Sequence, residues 1–395
     1  NGHLVEAIEH DDGTRTDHWR MERPHAPYLF MMAVGDFAVV EDEWRGRPVT
    51  YYVEPDYEPY ARDIFGMTPD MMTFYSKAFG VEFPWVKYGQ VVIRDFVAGA
   101  MENTTATTCN EGFHQTRRGL IDNSPESTIA HELVHQWFGD LVTCESWANL
   151  ALNEAFATYG SKLWMRHRYG QDRYEHNLRN DLNAYLAEAR QKREPIIRYY
   201  YKDSQQMFDR HSYSKASRVL YMLHTMLGDT AFYKSLQHYL QDNAYSAVEI
   251  DELRLAFEEV TGRDLKWFFK QWFLEAGHAE LVAEYPDTLA AGGSEVRLRV
   301  KQTQDTRYQP MYRLPMTIQL ATGRGQLRFE RELRSADTVF VLELPSPAEE
   351  LRNIDLDSQH YLLASIEEKN KPDSWWRYQF AHAGNYPQRL LALDV

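Results

Sequence analysis

Two histidines and a glutamate have the residue types and the spacing of a hydrolytic metal site. Residues 131–135 read His-Glu-Leu-Val-His. On a helix, His131 and His135 lie four residues apart on one face, so both imidazoles can reach one metal ion. Glu154 follows after the eighteen residues 136–153. Two imidazoles and a carboxylate are the ligands of a zinc site that keeps one coordination position for water, so the sequence predicts one zinc ion per chain.

Glu132 is the candidate proton carrier of this site. It is rotated by about 100° around the helix axis from His131, which suits a carboxylate beside the metal rather than a ligand. Zinc lowers the pKa of a bound water from about 15.7 to roughly 7. Glu132 can then accept the proton and pass it to a leaving amine, so the predicted chemistry is hydrolysis by zinc-activated water.

Two helices must position these side chains. Ser124, Pro125 and Glu126 form a helix start signal, with a capping hydroxyl, a first-turn proline and an acid near the positive end of the helix dipole. Apolar residues at helical spacing follow, and Gly139 is a terminator. The sequence therefore predicts a helix over 125–138 and a second one over 151–169, with Glu154 in its first turn.

Further segments carry a family resemblance. Residues 99–103 read Gly-Ala-Met-Glu-Asn, and 27 residues, 104–130, separate them from His131. In this order, the two motifs resemble the signature of the gluzincin zinc aminopeptidases, the family of aminopeptidase N and leukotriene hydrolase. Segments 137–143, 152–157 and 213–223 resemble the same family. The resemblance extends from about residue 25 to the C terminus.

The resemblance implies catalytic and metal-binding roles. It implies that His131, His135 and Glu154 bind zinc and that Glu132 is the general base. It also implies that Tyr213 donates a hydrogen bond to the oxyanion of the tetrahedral intermediate, although any one of 25 tyrosines is by itself more often a packing residue.

The resemblance also implies a substrate-binding segment. Glu102 matches the acid that binds the free α-amino group of the substrate, by a charge-assisted hydrogen bond. Gly99, Ala100, Met101 and Asn103 complete this segment. The threonine-rich residues 101–108 predict a strand that pairs with the substrate backbone. The implied function is the removal of N-terminal residues from peptides that have a free N terminus.

The order of strand and helix patterns, read with the resemblance, predicts an α+β multidomain fold. A thermolysin-like zinc catalytic domain, with a mixed sheet and a mainly helical lobe, is expected over 47–277, flanked by β domains. Residues 278–362 alternate apolar and polar side chains, which predicts a small β-sandwich domain. Residues 1–46 are expected to be the C-terminal remnant of an N-terminal β domain, and 363–395 the start of a truncated C-terminal helical domain.

The amino-acid composition limits which classes of partner the chain can have. The 395 residues carry a net charge of −15, which argues against nucleic acid and against an anionic membrane surface as partners. No apolar run approaches the roughly 20 residues of a membrane span. Two cysteines, Cys109 and Cys144, give no disulfide framework and are expected to be buried thiols. The sequence leaves the compartment open, and cytoplasmic and periplasmic locations both fit.

The sequence leaves two alternative functions open. The same site suits another zinc hydrolase, an endopeptidase or an epoxide hydrolase, and a requirement for a free amine would separate these from an aminopeptidase. The second alternative is that the chain is a fragment that binds peptide and zinc but is inactive because flanking domains are missing.

Overall fold

The structure is a computed structural model, and it describes residues 1–285, 294–345 and 350–393. The strands are β1 His3–Glu9, β2 Arg15–Arg20, β3 Ala38–Trp44, β4 Arg47–Val53, β5 Tyr88–Ile93, β6 Ala100–Met101, β7 Ala106–Asn110, β8 Val142–Cys144, β9 Ser246–Val248, β10 Ala279–Glu284, β11 Glu295–Gln302, β12 Leu314–Thr322, β13 Gly325–Leu333, β14 Asp337–Glu343, β15 Leu351–Asp355 and β16 Ala364–Lys369. The α-helices are α1 Ala61–Phe65, α2 Thr68–Phe79, α3 Gly119–Asp122, α4 Glu126–His135, α5 Ala151–Tyr169, α6 Gln171–Ala189, α7 Ala216–Leu227, α8 Asp229–Asp242, α9 Ile250–Thr261, α10 Lys266–Phe269, α11 Asp373–His382 and α12 Tyr386–Leu391.

The chain forms two compact units. The first comprises Asn1–Arg168, Tyr200–Met207 and Asp229–Leu265, and the second comprises Tyr169–Tyr199, Phe208–Gly228 and the described part of Lys266–Val395. The domain boundaries expected after residues 46, 277 and 362 stay predictions.

A mixed five-stranded sheet forms the base of the first unit. Its order is β3-β4-β5-β7-β6, with β4, β5 and β7 parallel and the two outer pairs antiparallel. The central strand β5 is buried along nearly its whole length, as expected for a strand with two parallel neighbours. The short strand β6 lies at the edge of the sheet, so one side of its backbone is open to pairing.

The prediction of one strand over 101–108 was wrong. A bend separates β6 from β7: the Asn103 carbonyl accepts the N–H of Ala106 at 2.9 Å, and Thr105 has a left-handed φ of 65°. The threonines of this segment favour strands, but the backbone reverses so that β6 and β7 pair antiparallel. The bend places Glu102 just beyond the edge strand.

Helix α4 is shorter than predicted. The chain leaves the α-helix after His135, because the N–H of Gln136 bonds the carbonyl of Leu133 and the chain then tightens into a turn. Pro125 occupies the N-cap position, and Ser124 contributes a long hydrogen bond of 3.4 Å to the N–H of Glu126. The bounds 151–169 predicted for the next helix are confirmed by α5.

Close packing holds α4 against α5. A Cβ on Gly160 would lie 2.7 Å from a methyl carbon of Val134, so only glycine permits this approach of the two helices. The rings of Phe138 and Phe156 stack with centroids 4.2 Å apart. The hydroxyl of Tyr75 donates to the Gly160 carbonyl at 3.0 Å. These contacts fix the two helices that carry the histidines and Glu154.

The second unit combines helices with two sheets. One sheet has the order β14-β11-β10-β16 and the other β13-β12-β15. The predicted strand alternation is confirmed in β11, where Val296, Leu298 and Val300 are buried and their neighbours largely exposed. Helix α10 ends at Phe269 and passes into a π-helical turn, Lys270–Leu274.

Within the described ranges, no helix is both long and apolar enough to cross a bilayer. Both cysteines are buried free thiols, as predicted.

Candidate active site

The first unit brings the three predicted zinc ligands together. The Nε2 atoms of His131 and His135 lie 3.2 Å apart. The Oε2 atom of Glu154 lies 3.3 Å from the first and 3.4 Å from the second. The three atoms thus form a nearly equilateral triangle. Helix α4 supplies two of its corners from consecutive turns, and the first turn of α5 supplies the third.

The triangle fits a zinc ion. Tetrahedral zinc with bonds of about 2.0–2.1 Å has neighbouring ligand atoms about 3.3 Å apart, which matches all three edges. The Oε2 atom of Glu154 is buried and has no hydrogen-bond partner in the described part of the chain. A buried carboxylate oxygen that faces two imidazole nitrogens without a hydrogen bond is the arrangement that a cation stabilises. The donor set of two imidazoles and one carboxylate also suits zinc.

The hydrogen bond at Nδ1 of His135 determines where this ring carries its proton. Its Nδ1 lies 2.9 Å from the Phe138 carbonyl, and because a carbonyl only accepts, Nδ1 carries a proton and Nε2 is the ring nitrogen that can bind a metal ion. Gly139 makes room for this ring, since a Cβ there would approach Nδ1 to 3.2 Å and its φ is +133°. Contrary to the prediction, Gly139 does not end α4, because the helix already ends at His135; its lack of a side chain instead leaves space for the His135 ring.

Two more carboxylates face the ligands. Glu102 and Glu132 present oxygens that lie, together with a ring nitrogen of His135, all within 4.8 Å of one another. Burial raises the pKa of both carboxyls, against the opposing effect of His135. Burial alone would lower the pKa of His135, but Glu102 and Glu154 together raise it. Three buried carboxylates beside two imidazoles form an acidic cluster that favours a divalent cation.

Glu132 lies beside the three predicted ligand atoms rather than among them. It is 5% exposed, and its Oε2 has no hydrogen-bond partner among the described residues. It lies on α4 between the two histidines, yet outside the triangle of ligand atoms. Its predicted role as the general base stays a prediction.

The segment 99–103, which is predicted to bind substrate, borders this cluster. Ala100 and Met101 form the edge strand β6, and the Gly99 carbonyl accepts the N–H of Asn110 at 3.1 Å. Asn103 is 5% exposed and its side chain is used within the fold, since it accepts from the Thr108 hydroxyl and donates to the Leu29 carbonyl. Its predicted part in substrate binding would have to come from its backbone.

Residues 64–272, more than half of the chain, match the model of the peptidase family M1 domain. The chain belongs to peptidase family M1. This confirms the resemblance to the gluzincin aminopeptidases. The family is zinc-dependent in general, in keeping with the ligand triangle.

Curated relatives of this M1 chain are longer than it is. Aminopeptidase N of Streptomyces lividans is 33% identical over 266 residues, which cover 63% of the chain and 31% of that protein. Tricorn protease-interacting factor F2 of Thermoplasma acidophilum is 29% identical over 331 residues, which cover 80% of the chain and 40% of that protein. The chain thus spans well under half of the length of these relatives.

A solved structure supports the fold of this M1 chain. The crystal structure of Legionella pneumophila aminopeptidase A in complex with aspartic acid matches with a TM-score of 0.80 at 20% identity. The match covers 99% of the chain and 45% of that protein. The predicted combination of several sheets and helices in an α+β fold is therefore confirmed at the level of the fold.

Tyr213 lies in the second unit of the M1 chain, on the π-helical turn His211–Lys215 that precedes α7. The carboxylate of Asp209 accepts the N–H groups of His211 and Ser212 at 3.0 and 3.1 Å. Arg198 pairs with Asp209 at 2.6 Å and donates to the Ser212 hydroxyl at 3.1 Å. This network fixes the turn that carries Tyr213, whose contact with an oxyanion stays a prediction.

Three buried polar residues next to the ligands were missed from the sequence. Asn153 accepts the Cys144 N–H at 3.1 Å and donates to the Tyr28 hydroxyl at 3.0 Å, which secures the start of α5. Gln136 and Asp140 form a hydrogen bond of 2.7 Å directly after α4. These residues could have been identified because they are polar side chains close in sequence to the predicted ligands, within segments that are otherwise apolar.

Proposed function

We propose that this M1 chain is part of a zinc-dependent aminopeptidase that removes N-terminal residues from peptides. The observation that carries the proposal is the position of Glu102, whose carboxylate shares one cluster with Glu132 and the ligand His135. An acid at this distance from a hydrolytic centre can hold a terminal ammonium while the first peptide bond reaches the metal. His131, His135 and Glu154 would hold one zinc ion per chain.

Each side chain has a defined part in the proposed reaction. When bound, the zinc ion polarises the scissile carbonyl and acidifies water. Glu132 accepts a proton from the attacking water and returns it to the leaving amine. Glu102 accepts hydrogen bonds from the substrate ammonium, and Tyr213 donates one to the developing oxyanion. The open side of β6, with Gly99, pairs with the substrate backbone.

The proposed catalytic domain comprises residues 47–277 in a thermolysin-like arrangement. The mixed sheet β3-β4-β5-β7-β6 followed by a helical stretch supports this. Residues 278–362 would form the β-sandwich, with residues 1–46 and 363–395 belonging to neighbouring domains. Peptides with a free N terminus are the proposed partners, and the acidic net charge of −15 argues against nucleic acid.

The primary test is zinc stoichiometry together with turnover of a panel of aminoacyl p-nitroanilides. We expect close to one zinc per chain and turnover that chelators abolish. Zinc without turnover would favour the alternative of a peptide-binding fragment, and absence of zinc would contradict the proposal.

Replacing Glu102 with alanine is expected to remove the preference for a free N terminus. A charge-assisted hydrogen bond contributes about 1.5–3 kcal/mol, so kcat/KM for free-amine substrates should fall by about 10- to 100-fold. The rate at which N-acetylated peptides are cleaved should be the same in this variant as in the unaltered chain. The matched control is Glu111→Ala, which removes an exposed carboxylate just after β7. Equal cleavage of acetylated and free peptides by the unaltered chain would favour an endopeptidase instead.

Replacing Tyr213 with phenylalanine is expected to lower kcat by about 10²–10³-fold with little change in KM, because loss of an oxyanion donor affects the transition state more than the bound substrate. Steady-state kinetics with one chromogenic substrate would measure both constants. Tyr221→Phe, which removes another hydroxyl of the second unit, one that bonds the Gln359 carbonyl at 3.3 Å, is the control. An unchanged kcat in Tyr213→Phe would contradict the oxyanion role.

A further inference from the structure

Gln136 connects the end of α4, the helix that carries His131 and His135, to the proposed substrate-binding segment 99–103. It follows the ligand His135 directly in the chain and is 0% exposed. Its backbone is fixed at the end of α4, because its N–H bonds the Leu133 carbonyl and its own carbonyl accepts the indole N–H of Trp85 at 2.9 Å. The side chain therefore starts from a rigid point next to the metal site.

The side-chain amide of Gln136 makes three hydrogen bonds. Its Nε2 donates to the Glu102 carbonyl at 3.1 Å and to the Asp140 carboxylate at 2.7 Å, and its Oε1 accepts the N–H of Thr105 at 3.0 Å. Both amide hydrogens and the carbonyl oxygen are used, and exchanging oxygen and nitrogen would break all three bonds. The orientation of the amide is thus determined by its partners.

These bonds span the bend that carries Glu102. Thr105 is in the left-handed region, which is unfavourable for a β-branched residue, so neighbouring contacts must hold it there. On the opposite side of the bend, the Thr105 carbonyl accepts from the Gly89 N–H at 2.8 Å and from the Lys87 ammonium at 3.1 Å. From the side of α4, the bend is held by the hydrogen bonds of Gln136 to Glu102 and Thr105.

We propose that Gln136 is a positioning residue that fixes the distance between the carboxylate of Glu102 and the metal ligands, and thereby places the first peptide bond of a substrate at the hydrolytic centre. The inference rests on the proposed aminopeptidase function. One side chain is covalently attached beside His135 and hydrogen-bonded to the peptide unit of Glu102, so the two sites cannot shift independently. A displacement of about 1 Å in such a site can cost about 10²-fold in rate.

A purely structural role would have different consequences. A buried amide that only stabilises the fold would change the unfolding temperature without changing how the protein distinguishes a free amine from a blocked one. Amine discrimination is therefore the property that separates the two roles.

The test compares Gln136→Met, which keeps the side-chain length but makes none of the three hydrogen bonds, with the unaltered 395-residue chain. Calorimetry on metal-free protein would give affinities for alanine amide and N-acetylalanine amide, and kinetics on zinc-loaded protein would give KM and kcat for alanine p-nitroanilide. We expect affinity for alanine amide to fall by about 10-fold, as for the loss of a charge-assisted hydrogen bond. Affinity for the acetylated compound should not change, KM should rise, and zinc content should stay at that of the unaltered chain.

Trp137→Phe is the matched control. It removes a hydrogen bond of 2.9 Å to the Val81 carbonyl from the next residue of the chain, which is also 0% exposed. We expect it to lower the unfolding temperature and to leave the ratio of the two affinities unchanged.

The outcomes separate this inference from the proposed function. If the unaltered chain binds both amides equally, amine recognition by Glu102 fails and the inference falls with it. If the unaltered chain discriminates and Gln136→Met discriminates equally well, the positioning role is overturned and the proposed function stands. Should Gln136→Met not fold, Gln136→Asn decides, because it keeps the amide but shortens its reach; unchanged discrimination there overturns the inference, and reduced discrimination supports it.

Discussion

Replacing Glu132 with glutamine is expected to lower kcat by about 10²–10⁴-fold, the usual contribution of a general base, while zinc remains bound. Glutamine has the shape of glutamate but cannot accept and return a proton. Glu132 is 5% exposed and its Oε2 has no hydrogen-bond partner within the described residues, so the fold does not depend on that oxygen. Turnover of a chromogenic substrate and zinc content of the same preparation would measure the two effects.

The control for this variant lies on the same helix. Glu126 is 3% exposed, and its Oε1 accepts the indole N–H of Trp164 at 2.6 Å, outside the ligand cluster. Glu126→Gln replaces a buried carboxyl group of α4 with an amide, as Glu132→Gln does, but outside the ligand cluster, so its turnover should stay near that of the unaltered chain. If Glu132→Gln kept more than about 10% of the activity, proton transfer by Glu132 would be excluded as a main source of the rate.

The sequence predicted the parts of the site that depend on helical periodicity. Two histidines four residues apart must share a face of a helix, and the start of α5 was placed correctly, so the convergence of His131, His135 and Glu154 could be anticipated. Their distances of 3.2–3.4 Å needed the packing of α4 against α5, which depends on the absence of a side chain at Gly160.

The bend before β7 and the π-helical turns could not be predicted. In both cases contacts distant in sequence override local preference: the bend depends on Gln136, which is 31 residues beyond Thr105, and the turn that carries Tyr213 depends on Arg198. The start of α2 shows a similar effect, because threonine often caps a helix but the Thr68 side chain does not cap this one. The Thr68 hydroxyl donates to the Phe65 carbonyl at 2.7 Å and faces Gln90 instead of capping its helix.

Replacing Glu154 with alanine is expected to weaken zinc binding by at least about 100-fold. Changes in the outer shell of a zinc site alone cost about 10- to 100-fold in affinity, and Glu154 contributes a ligand atom itself. After dialysis the variant should hold little zinc and have little turnover. Because a ligand that binds only the folded state stabilises it, a chelator should lower the unfolding temperature of the unaltered chain and leave that of the variant unchanged.

The site offers a specific alternative that this experiment can detect. Glu102 and Glu132 present oxygens within 4.8 Å of a ring nitrogen of His135, so a second set of three possible ligands overlaps the first. If Glu154→Ala retained one zinc per chain, the ion would be bound by that second set, and the roles of Glu102 and Glu132 as amine anchor and base would be wrong. Glu145→Ala, which removes an exposed carboxylate nine residues earlier, should hold zinc as the unaltered chain does. Loss of zinc from Glu154→Ala alone would assign the third ligand and leave both acids available for the substrate.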